Sequence, residues 1–449
     1  MIIIKKWKIG IILFFSVAMF IYYLKANYNI NYYDESGYIH LSRGILDNGL
    51  FSMVNDLRTY LYPLIIAIIS VFTDGDIYVI KIVVSILQYL LYCYTVIKLA
   101  KHSENYFKSK LVYYSILLFG LLNPYLIHAT TLLLTDITAS CCALLALISL
   151  MFGDFRKNRT YFMIFGFVYA SVMIRPASII FVPIVIFLLC VKNYMFKDVR
   201  MKISIISLLS LSIIFFPQLY NNVKTYNDWT PLLHADLYEF QSNLAASNLK
   251  YGTVVIPGEK AQLFFKSPFV EGTESGSIYS LIFTNFFAFV MTYFSHLFGV
   301  LDWGYIQTYI SNFYPPSRIL GSLFLYIFWL LGFLGLVLFL QRCVKGKEEK
   351  KGVFIGITLL SSFMIYWAFL GTTIIESRFG YPLYLLMMFF AAFGVKRFEV
   401  YVKNNGAVNL KRLSMILIAG VIFILSIFYV SFLLDYQTGR INWFHWFGL

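Results

Sequence analysis

Apolar runs long enough to cross a bilayer recur along the whole chain, divided by short clusters of lysine and arginine. A bilayer core of roughly 30 Å takes about 20 helical residues per crossing, and a backbone in hydrocarbon must satisfy its own hydrogen bonds. The runs fall at residues 9–24, 77–100, 111–128, 137–152, 161–190, 203–219, 278–300, 319–340, 353–370, 379–395 and 413–434. With 161–190 divided at Arg175-Pro176 and 278–300 set aside, they predict about 11 crossings. The expectation is an all-α polytopic membrane protein forming one transmembrane domain over residues 1–449, with no separate soluble domain. A mean hydropathy of +0.74 agrees with it.

The formal net charge of +14 could suggest a nucleic-acid partner. The basic residues lie between apolar runs, however, as the positive-inside rule requires, so the charge reports topology and no nucleic acid is expected. Cys93, Cys141, Cys142, Cys190 and Cys343 lie in or at the end of apolar runs without metal-ligand spacing, which supports neither a disulfide framework nor a zinc site.

Lys5, Lys6 and Lys8 precede residues 9–24, and no small-residue cleavage site follows, which predicts an uncleaved first helix with a cytoplasmic N-terminus. Residues 25–60 then form a first external loop. Lys98, Lys101, Lys108 and Lys110 belong inside, so only one of the two runs before them crosses. That run is 77–100. Residues 62–72, with Pro63 in the first turn, are too short and are expected to be interfacial or re-entrant. Parity next takes 111–128 outward, 137–152 inward, and 161–190 through a helical hairpin whose tip, Arg175, is outside. Residues 203–219 lead out into an external loop, 220–318. A basic cluster at Arg342, Lys345, Lys347, Lys350 and Lys351 needs 319–340 to run inward, which sets the aromatic run 278–300 at the outer interface. Spans at 353–370, 379–395 and 413–434 follow, with the tail 436–449 outside.

Asp34 and Glu35 stand at the start of the first external loop, ahead of a stretch in which Tyr38, Leu41 and Ile45 share one helical face and Asn48-Gly49 offers a stop. This predicts an amphipathic helix lying on the membrane. Asp34 can serve as its N-cap, as a base, or as both, and Asp136 at the mouth of a later helix has the same two readings. Arg175 and Arg378 are predicted outside, where arginine either snorkels to headgroups or grips a phosphate. Carboxylates and arginines at one membrane face suit a transfer in which a sugar leaves a lipid phosphate. Such a substrate already has a good leaving group, so the protein supplies a base for the acceptor hydroxyl and cations for the departing phosphate. His40, His128, His234 and His296 are also predicted near the outside, and no histidine metal site is expected.

These residues make the chain resemble the integral membrane glycosyltransferases of the GT-C class, particularly bacterial relatives of the protein O-mannosyltransferases and the lipid A aminoarabinose transferases. The resemblance is carried by Asp34-Glu35-Ser36-Gly37-Tyr38, by Tyr62-Pro63-Leu64, by Leu134-Thr135-Asp136, by Arg175-Pro176 and by Arg378-Phe379-Gly380-Tyr381-Pro382. The chain has Leu61-Tyr62-Pro63-Leu64 where the eukaryotic mannosyltransferases carry a His-Pro-Pro-Leu type sequence. The resemblance implies a GT-C-type fold with Asp34 as the catalytic base or a substrate-orienting carboxylate. Glu35 joins it in the catalytic pair, and Glu35 and Asp136 help to position donor or acceptor. Arg378, and after it Arg175, would hold the lipid phosphate, with Tyr38 beside them at the substrate.

The expected activity is inverting transfer of a sugar from a polyprenyl-phosphate donor to a hydroxyl of an envelope glycan, lipid or protein, at the outer face of the cytoplasmic membrane. Membrane lipids are the remaining partners, and loop 220–318 is the expected acceptor side. No cofactor is expected to be obligatory, although paired carboxylates could bind Mg²⁺ or Mn²⁺. Two other readings stay open. A polymerase or ligase of lipid-linked glycans would also use outward arginines. A transporter or flippase would line a path with charges, of which Lys81 is the mid-span candidate.

Overall fold

The computed structural model describes residues 2–30, 32–256, 259–270, 276–302, 317–404 and 410–437, so the tail expected outside lies almost wholly beyond the described residues. The protein is helical and polytopic in character. Among the described residues, eight helices are long and apolar enough to cross a membrane: Ile9–Asn27, Ile77–Phe107, Pro176–Phe196, Met201–Tyr226, Ile319–Val344, Lys350–Leu370, Ser377–Tyr401 and Leu417–Leu434. The pair Lys110–Leu121 and Pro124–Thr130, bent by 55°, makes up to nine if it is one span. The bend falls where Asn123 ends one helix and caps the next, its side chain accepting from the N–H groups of Tyr125 and Leu126.

Leu61–Phe72 is a helix of 12 residues, and the run at 278–300 breaks at Asn285 to leave Phe286–Leu301, of 16. Both are short of a full crossing, and so is Asp136–Phe152, of 17 residues, which was expected to cross. One departure from the all-helical expectation is an antiparallel hairpin of Asn248–Ile256 and Glu259–Lys266.

The chain divides into two compact units. The first comprises Met1–Lys108, Ile116–Leu237 and Arg342–Phe363, and the second Ser109–Ser115, Tyr238–Gln341 and Met364–Leu449. In the first, the helix Asp136–Phe152 is buried on almost every side, and it packs on Asn158–Ile174 and Ile77–Phe107. The second is built around Tyr381–Asn404. Gly335 and Gly394 let the backbones of Ser317–Val344 and this helix touch, since a Cβ at Gly335 would stand 1.9 Å from the Phe390 carbonyl oxygen.

The first-loop helix forms, but it lies on protein. It runs Tyr33–Asn48 and stops at Gly49, whose φ of +85° suits glycine. Ile39 packs with Tyr62, Ile66 and Ile69, while Leu41 and Ile45 pack with Met53, Tyr60 and Ala67. Each such burial is worth on the order of 2 kcal/mol, enough to dock the helix on Leu61–Phe72. The apolar face expected to meet lipid is thus used inside the fold.

Candidate active site

Glu35 shows why the helix begins where it does. It is the third helical residue, and its Oε2 reaches back to accept the N–H of Tyr32, the N-cap, at 3.1 Å. Asp34 is therefore inside the first turn, not at the cap. Asp136 is likewise the first residue after its N-cap, Thr135. Both acids still favour their helix N-termini electrostatically.

Asp34 and Glu35 are consecutive, and a helix turns them about 100° apart. Glu35 points inward and is 1% exposed. Its Oε2 also accepts from Lys81 Nζ at 2.6 Å, and its Oε1 from the Leu133 N–H at 2.8 Å. Lys81 in turn donates to the Ile30 carbonyl at 2.6 Å and lies over the Tyr32 ring. Burial pushes the Glu35 carboxyl up, against the opposing pull of Lys81 and the two backbone donors. Both Glu35 oxygens are thus engaged, Oε2 by Lys81 and the Tyr32 N–H and Oε1 by the Leu133 N–H.

Asp34 has one-fifth of its side chain exposed and accepts from Arg58 Nη2 at 3.1 Å. The Arg58 guanidinium lies 4.9 Å from the centre of the Tyr38 ring, and its other neighbour is Gly37. A Cβ at 37 would stand 2.9 Å from Cζ and Nη1 of Arg58, so glycine in mid-helix, a cost of about 1 kcal/mol, makes room for the guanidinium. Asp136 is 2% exposed and is ion-paired with Arg175, where the chain breaks between Asn158–Ile174 and Pro176.

The segment that presents Asp136 is held from three helices. Gln88 Nε2 donates to the carbonyls of Thr130 at 3.1 Å and Leu132 at 2.7 Å, while its Oε1 accepts from Tyr62 and Thr138. Asn27 Nδ2 donates to Thr131 Oγ1 at 2.8 Å, and Glu35 takes the Leu133 N–H. A second strap, residues 56–60, ties Asp34 to the rest. Thr59 donates to the Met173 carbonyl at 2.7 Å and Tyr60 to that of Ile214 at 2.6 Å. Asp56 accepts from the Tyr226 hydroxyl. Tyr226 stacks on His234, which bonds Asp228 at 2.9 Å, and hydrogen bonds from His234 and Thr230 hold the Asp228 carboxyl below the usual carboxylate range.

Asp34, Glu35, Tyr38, Asp136 and Arg175 thus gather at one end of the first unit. Arg378 belongs to the second unit, where its Nε and Nη2 close on the two oxygens of the buried Glu376 at 2.5 and 3.1 Å. Sequence reasoning missed Arg58, Gln88 and the role of Lys81. Each of these carboxylates faces a basic side chain. Among the described residues no three His, Cys, Asp or Glu side chains come together. No protein-family model matches the sequence, and no curated protein does either.

Proposed function

We propose that the protein is a GT-C-type glycosyltransferase with about 11 spans, moving a sugar from a polyprenyl-phosphate donor to a hydroxyl acceptor at the outer face of the cytoplasmic membrane. One observation carries this reading. A half-buried carboxylate, Asp34, stands beside a guanidinium at an end of the first unit where a second acid–arginine pair, Asp136 and Arg175, is also fixed. In a single displacement the acceptor oxygen bonds to the anomeric carbon as the bond from that carbon to the phosphate oxygen breaks. The hydroxyl proton passes to Asp34, and the electron pair leaves on the phosphate, where arginine stabilises it. Inversion at the anomeric carbon follows from one displacement.

The transport alternative draws less support from Lys81, whose ammonium is held by Glu35 and the Ile30 carbonyl. Deleting the gene and comparing envelope glycans by mass spectrometry identifies the product, and complementation tests the site. Wild-type protein should restore the glycan, and Asp34→Asn, present in the membrane at equal amount, should lower transfer by at least about 100-fold. Equal restoration by the two proteins would remove Asp34 from the chemistry.

A further inference from the structure

We infer that Arg58 is the residue that grips the phosphate of the lipid-linked donor, an inference that rests on the glycosyl-transfer reading above. Three arginines are candidates, and they differ in how much of the guanidinium is already used. Arg378 closes on Glu376 with Nε and Nη2, a two-point grip that fills one edge of the fork. Arg175 is joined to Asp136, itself almost fully buried. Arg58 gives one N–H, from Nη2 to Asp34 Oδ1, and among the described residues makes no other hydrogen bond. A guanidinium has five N–H donors, so most of this one is unused, and one-fifth of the side chain is exposed.

The unused fork is also fixed in place. Tyr38 covers one side of it, and Gly37 leaves the space in which it sits. The next two residues are anchored through the Thr59 hydroxyl to Met173 and the Tyr60 hydroxyl to Ile214, which holds the backbone that carries it. A planar cation stacked on an aromatic ring, with donors to spare, is suited to two phosphoryl oxygens at once. Its contact with Asp34 gives the grip a second consequence. The cation paired with Asp34 is the one that receives the charge appearing on the phosphate oxygen as the sugar–oxygen bond breaks, so base and leaving group share one guanidinium.

Binding of farnesyl phosphate to the full-length protein in detergent, measured by calorimetry, tests this, with farnesol and inorganic phosphate as the comparison ligands. The wild type should bind farnesyl phosphate at least about tenfold more tightly than either, because the phosphate and the chain both contribute. Arg58→Gln should weaken farnesyl phosphate by about tenfold or more while leaving the weak binding of farnesol unchanged. Gly37→Ala keeps the charge but crowds the guanidinium, so it should weaken the phosphate ligand by a smaller factor. It also carries the test if Arg58→Gln does not fold. Unaltered binding in folded Arg58→Gln and Gly37→Ala, or a loss seen in Arg378→Gln instead, overturns the assignment and leaves the glycosyl-transfer reading standing. A wild type that does not prefer farnesyl phosphate to farnesol overturns both.

Discussion

Adjacent acids at residues 34 and 35 have opposite fates because a helix sends one inward and one outward. Glu35 pairs with Lys81 where neither has water, and in such a place the pair matters less for its net attraction than for what happens when it is broken. Lys81→Met leaves a buried carboxylate without its cation and should cost about 3–5 kcal/mol of stability. Glu35→Gln with Lys81→Met removes both charges while the amide keeps bonds to Tyr32 or Leu133, and should recover much of that loss. Thermal unfolding of the two variants decides the matter: equal melting temperatures would mean that the pair is not the reason for the loss. Asp34, one-fifth exposed and joined to Arg58, offers a contrast. Replacing it should change transfer far more than stability, since an ion pair still reached by water is worth about 1 kcal/mol.

At the scale of elements, the site depends on two short irregular segments, 130–135 and 56–60, that are held by side chains from the helices around them. Gln88 makes four hydrogen bonds, two of them to carbonyls of the first segment. Gln88→Leu would leave those carbonyls buried without donors, at about 1–3 kcal/mol each. Amide exchange over residues 130–136 should rise in this variant before the rest of the first unit responds, and unchanged exchange there would show that Asn27 and Glu35 suffice. These segments were the least legible part of the chain. The helix at 33–48 could be read from the spacing of Leu41 and Ile45 and from Asn48-Gly49, but its partner could not, because amphipathicity does not distinguish lipid from a neighbouring helix. The reach of Glu35 back to Tyr32 sets the helix start one residue early, so Asp34, read as a possible cap, is a first-turn residue. Arg58 sits in a loop without a pattern, and Gly37, a glycine in a helical stretch, was its only trace in the sequence.

On the scale of the whole molecule, the long runs could be read directly, since hydropathy and helix length follow from the bilayer, whereas the hairpin at 248–266 gave no apolar alternation clear enough to see. Charge clusters added a prediction about ends. They require the end of Ile9–Asn27, the start of Ile77–Phe107, the start of Asp136–Phe152 and the end of Asn158–Ile174 to share a side. Hydrogen bonds and ion pairs join those same four ends, through Asn27 and Thr131, Lys81 and Glu35, Glu35 and Leu133, and Asp136 and Arg175. At the other end of the Asp136–Phe152 helix, Lys192 lies among Phe155, Phe196 and Phe354, and Lys351 lies against Phe152. Basic residues are retained on the cytoplasmic side, so the acid–arginine end should face out. Asp47 and Lys157 are exposed near the two ends and report on this. With the five native cysteines replaced, Asp47→Cys should react with a membrane-impermeant maleimide in intact cells, and Lys157→Cys only after permeabilisation. The reverse pattern would put the acids on the cytoplasmic side, where a donor must be presented before it is flipped, and would end the case for transfer at the outer face.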